Sequence, residues 1–132
     1  MTYSISDYSI SDLRNIAIEI IGYMNESIPK HTRFSVDLHD KKTMKKFGAD
    51  GLCHVTTQGT KNHTNKPYIT EIRITVYWAL SIDKILGTLI HECVHAGLAL
   101  RGNKTWMVHN KTFKKNCIHI GNLFEIPIDY IY

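Results

Sequence analysis

The residues with the clearest chemical potential are His91-Glu92-Cys93-Val94-His95, two histidines four positions apart with a glutamate directly after the first. On an α-helix this spacing sets the two imidazoles on one face, about 40° apart around the axis. Two neutral imidazoles so placed can share a Zn²⁺ ion at roughly 2.0–2.1 Å. The carboxylate of Glu92 then stands where it can take a proton from a metal-activated water. A catalytic zinc with open chemistry needs a third protein ligand. His109 is the expected one, because the fourteen residues after His95 suffice for one helix to finish and a second to start against the metal. Phe113, one turn further on, can anchor that second helix. Cys53, His119 and Glu125 are the alternatives for the third position, with Cys117 and His119 more simply read as packing residues.

The flanking sequence has to present this face. Around His91 on a helical wheel, Ile82, Leu86, Leu89, Ile90, Cys93, Val94 and Gly97 fall on the opposite half, while His95, Lys84 and Thr88 share its side. The expectation is a helix with an apolar back in the core and histidines facing a cleft. Ser81, followed by Asp83 in the first turn, opens it, and Gly102 after Arg101 closes it.

The rest of the chain frames that helix. At 132 residues with 43% hydrophobic content, it suits one domain, 1–132, with a core over about 11–120 and a tail over 121–132. No apolar run approaches the roughly 18–20 residues of a membrane span, so no membrane partner is expected. The first residues carry no basic segment followed by an apolar one, and the expectation is no secretion signal. Three scattered cysteines without a C-x-x-C pair suit a reducing interior, hence a cytoplasmic location, in a host cell or near a nucleoid. The net charge is +4 with histidines neutral. Its lysines cluster as Lys41, Lys42, Lys45 and Lys46, and again as Lys111, Lys114 and Lys115. Both blocks are candidate nucleic-acid contacts, although a modest basic excess is usually a solvated surface.

Taken in order, Ser11 to Asn25 spaces Leu13, Ile16, Ala17, Ile20, Ile21 and Met24 as one helical stripe, with Ser11 as N-cap. Arg33–Leu38 alternates as a first strand, Leu52–Thr57 reads as a second, and Tyr68–Trp78 as the third and strongest. Within the third, Ile72, Ile74, Val76 and Trp78 share one face, opposite Glu71, Arg73, Thr75 and Tyr77. Asp40–Phe47 reads as a short helix or turn, and Gln58–Pro67 as a polar connection. His109–Ile120 reads as a helix with Phe113, Cys117 and Ile120 inward. These elements give an α+β class.

This order of elements resembles the SprT-like zinc metallopeptidases, a group that includes a protease of DNA–protein crosslinks. The resemblance rests on a strand over Ile69–Tyr77, on His91-Glu92-x-x-His95-Ala96, and on His109-x-x-x-Phe113-Lys114, and covers roughly Arg33 to Ile120. The sequence departs from the usual H-G-P-E-F at the third histidine, having Asn110, Lys111 and Thr112. It also lacks the C-x-x-C pairs of the zinc ribbon that often follows. Extended gluzincin or metzincin ligand patterns are not matched.

The resemblance implies a minimal zincin-like domain: an N-terminal helix, a small three-stranded and mostly antiparallel sheet, the H-E-x-x-H helix, and a following helix bearing the third ligand. It implies one Zn²⁺ held by His91, His95 and His109, with Glu92 as general base and acid, and a polypeptide substrate added as an extra strand beside Tyr68–Trp78. A second oxyanion donor is needed, and Tyr77 and His63 are the candidates. The expected function is therefore a zinc-dependent endopeptidase, acting on DNA-associated proteins. The alternative is a zinc-bearing DNA- or protein-binding module of the same fold without hydrolysis.

Overall fold

A computed structural model of the chain describes residues 10–39, 50–61, 67–79 and 81–132. The order is α1 (Ile10–Tyr23), β1 (Arg33–His39), β2 (Gly51–Lys61), β3 (Pro67–Tyr77), α2 (Ile82–Leu100), α3 (Lys111–Phe124) and α4 (Ile128–Ile131). This is an α+β arrangement around a three-stranded sheet.

The sheet departs from expectation. Its order is β1-β3-β2, with β2 antiparallel to β3 but β1 parallel to it. The sheet is therefore mixed rather than mostly antiparallel, and β3 lies at its centre. A substrate cannot add beside β3, whose two edges are already hydrogen-bonded; among the described residues, the edge that borders the cleft belongs to β2.

Register assigns the faces. Phe34, Val36 and Leu38 lie opposite Ile72, Ile74 and Val76, which in turn face Val55, Cys53 and Gly51. Partners in register share a face, so these nine residues form the inner surface. Ile72, Ile74 and Val76 are fully buried there. Glu71, Arg73, Thr75 and Tyr77 belong to the outer face, where Glu71 pairs with Arg73 at 3.3 Å. Exposed pairs of this kind are worth little, about 0–1 kcal/mol. Trp78 lies past the end of β3 and is exposed rather than inward.

Helix α1 packs against β1 and α2 with Leu13, Ala17, Ile20 and Ile21 buried, and Met24, just past its end, is buried against Gly97 of α2. It begins at Ile10, so Ser11 lies inside its first turn rather than at the cap. Helix α2 is the element that touches most of the others, packing against α1, β2, β3, α3 and α4. Ser81 caps it, accepting the Lys84 N–H at 3.4 Å. At the far end Gly102 takes a left-handed φ of 84°. There the Asn103 N–H reaches the Leu98 carbonyl and the Gly102 N–H the Ala99 carbonyl, both at 3.0 Å, a Schellman closure. Every α2 residue from Ile85 to Leu100 except His91 is buried. The polar front of the wheel borders a cleft whose other walls come from the start of β2, α4 and the loop between α2 and α3.

Candidate metal centre

His91 and His95 come from consecutive turns of α2, and His109 from the loop leading into α3. That loop is stitched by its own side chains. Asn103 Oδ1 accepts from the Thr105 N–H and hydroxyl at 2.8 Å, and the Asn110 amide donates to Thr105 Oγ1 at 3.1 Å. Asn110 also caps α3 by accepting the Phe113 N–H at 3.1 Å. The helix thus starts at Lys111, and His109 precedes its cap instead of opening it. An Asn three residues before Phe113 was the available signal. Phe113, fully buried, lies under all three imidazoles, with ring centroids 4.9, 4.3 and 4.7 Å from His91, His95 and His109.

The three histidines each offer one nitrogen, all within 4.8 Å of one another. His91 Nδ1 lies 2.8 Å from the Ile131 carbonyl and His95 Nδ1 lies 2.6 Å from the Trp106 carbonyl. A carbonyl only accepts, so each Nδ1 carries the proton and donates it, leaving both Nε2 lone pairs facing inward. His95 Nε2 stands 3.1 Å from His109 Nε2. Two ligands of a tetrahedral zinc would be about 3.4 Å apart, given metal–nitrogen distances near 2.0–2.1 Å. Burial lowers the His91 pKa to about 4 and also lowers that of His95. Both imidazoles are then neutral near pH 7, the form that binds a metal. The geometry and the donor set fit a metal ion; what they define is a three-histidine site, without choosing the element.

Glu92 is 6% exposed and, among the described residues, accepts no hydrogen bond. Burial alone raises its pKa to about 7. Gly51, at the start of β2, lets the strand pass close by: a Cβ there would stand 2.6 Å from Thr88 Cγ2 and 3.0 Å from Glu92 Oε2.

These groups line a cleft of about 450 Å³, walled by Asp50–Cys53 of the β2 edge, by Lys84 and Thr88, and by Trp106, Met107, Ile131 and Tyr132. Lys84 pairs with Asp50 at 3.2 Å at its rim. Cys53 is half-buried in this wall. Burial, and then the Glu92 charge, push its thiol pKa up, and it is not part of the converging set. Cys117 is packed in the core, His119 is exposed on α3, and Glu125 holds a left-handed position after α3 with φ 57°.

Tyr77 does not reach the cleft: it belongs to the outer sheet face, and its N–H bonds the Asp50 carbonyl at 2.8 Å. The phenol that does reach it is that of Tyr132, which no sequence pattern marked. His63, Lys41, Lys42, Lys45 and Lys46, with the short helix or turn expected around them, lie outside the described residues. Lys111, Lys114 and Lys115 are exposed, and the Lys114 ammonium lies 5.7 Å from the Tyr132 ring centroid. Among the described residues, no helix is long and apolar enough to cross a membrane. In comparisons with protein-family models, curated proteins and solved structures, the chain matches none.

Proposed function

We propose that the chain is a zinc-dependent endopeptidase, whose metal is held by His91, His95 and His109. The observation carrying this reading is the buried carboxylate of Glu92, which accepts no hydrogen bond among the described residues, beside three imidazoles whose ring nitrogens converge. The sequence resemblance to SprT-like metallopeptidases points the same way. Zinc, when bound there, supplies a Lewis acid that polarises a peptide carbonyl and acidifies water.

The remaining work falls to the chain's own groups. An extended substrate segment lies along the β2 edge near Gly51–Cys53, pairing through its main chain, which asks little of its sequence. Glu92 takes the proton from the attacking water and delivers it to the leaving amine, a role suited to a carboxyl whose pKa sits near 7.

Glu92→Gln tests the proposal. The variant should retain zinc and lose cleavage of an unfolded protein substrate by about 10²-fold or more, the lower range for a positioned acid–base group. A zinc-loaded variant cutting as fast as the wild type would overturn it. A second reading, a metal-bearing module that contacts nucleic acid without hydrolysis, draws on the exposed Lys111, Lys114 and Lys115. It requires a salt-dependent affinity for DNA that drops when these lysines are replaced.

A further inference from the structure

The turn after α3 is built into the metal centre from outside the ligand set. The Ile131 carbonyl accepts the Nδ1–H of His91 at 2.8 Å. The Tyr132 phenol donates to the His109 carbonyl at 3.1 Å. One short segment therefore grips a ligand on α2 and the backbone of the ligand before α3. Its seat is Gly87 on α2, where a Cβ would stand 2.3 Å from the Tyr130 carbonyl oxygen and 2.6 Å from its carbon. Backbone cannot step aside there without carrying the Ile131 carbonyl with it. The Ile131 side chain, 3% exposed, fills a second seat at Gly121, where a Cβ would stand 2.6 Å from its Cδ1.

We propose that residues 128–132 form a metal-coupled latch: docked on Gly87, they hold His91 in its metal-binding tautomer, and bound metal in turn holds them docked. This rests on reading the three imidazoles as a metal site. Losing the partner of a ligating histidine's second nitrogen typically weakens metal binding 10–100-fold. The coupling is reciprocal, so metal must strengthen docking by the same factor by which docking strengthens metal binding.

Gly87→Ala in the full chain is the direct test. Alanine is the better helix former, so α2 is not weakened while the seat is blocked. Gly22→Ala, in α1 with open space around the added methyl, is the control. Zinc affinity is read by competition with a chromophoric chelator, and docking by hydrogen exchange at the Tyr132 amide, which bonds the Ile128 carbonyl at 2.9 Å. Gly87→Ala should weaken zinc about 10–100-fold and Gly22→Ala not at all. In the wild type, zinc should slow exchange at Tyr132.

Should Gly87→Ala fail to fold, Ile131→Asp releases the same segment from its other seat and should give the same loss. A released segment with undiminished zinc affinity, or exchange at Tyr132 indifferent to zinc, overturns the latch alone. A wild-type protein that binds no zinc overturns both the latch and the metal reading.

Discussion

Replacing Glu92 by glutamine in the metal-free protein should reverse the usual sign of a core substitution as pH rises. Folding raises this carboxyl from 4.5 to about 7. Below pH 4.5 it is protonated in both folded and unfolded chains and costs nothing. Between 4.5 and 7 the folded state alone keeps the proton, so stability falls as pH rises; above 7 the full penalty of a buried charge applies. At 1.36 kcal/mol per pH unit, the ceiling is about 3 kcal/mol. His91 works in the opposite direction. Its folded value, about 4 against 6.5, means that the unfolded chain alone binds a proton between those limits, and stability is lost as pH falls through them. From pH 4.5 to 6.5 the two slopes oppose one another, and His95, whose pKa burial also lowers, adds to the histidine side. Glu92→Gln leaves the histidine contributions alone, so the variant should gain stability as pH rises from 4.5 to 6.5.

Urea unfolding in the presence of a chelator, at pH 4.5, 5.5, 6.5 and 7.5, reads this out. Any fixed cost of burying the amide cancels when the wild type–variant difference is followed against pH. The variant should gain on the wild type by roughly 2–3 kcal/mol between the extremes. A difference that does not change with pH would show Glu92 to be solvated, and the argument for its proton-transfer role would go with it.

Two further substitutions test the packing of the site. Phe113→Ala removes the ring beneath all three imidazoles and should destabilise the protein by about 3–5 kcal/mol, measured by urea unfolding, with weaker zinc binding in the same preparation; an effect below 1 kcal/mol would contradict the buried placement. Gly51→Ala drives a methyl into Thr88 Cγ2 and should cost about 1–3 kcal/mol. Thr88→Ser in the same chain should recover part of this, and no recovery would place the clash elsewhere.

The sequence disclosed the three-histidine cluster because residue type and spacing are themselves the signal: His91 and His95 share a helical face wherever the helix lies, and His109 falls within reach of it. The apolar stripe of α1 and the alternation of β3 were legible for the same reason. Strand order was not, because alternation fixes which side of a strand is buried but not its neighbour. Placing β3 at the centre of the sheet left β2 as the edge that borders the cleft, while alternation along β3 had already set Tyr77 on the face opposite Ile72, Ile74 and Val76. The outer support was silent as well. Ile131 and Trp106 act through backbone carbonyls, which every residue owns. Gly51 and Gly87 act by having no side chain where another segment passes.

X-ray absorption of the protein loaded with one equivalent of zinc tests the centre most directly. Three imidazole nitrogens and an oxygen near 2.0–2.1 Å are the expected shell, with imidazole scattering reduced by one ring in His109→Ala. A sulfur at about 2.3 Å, which only a cysteine such as Cys53 in the cleft wall can supply, or a shell unchanged by His109→Ala, would contradict it.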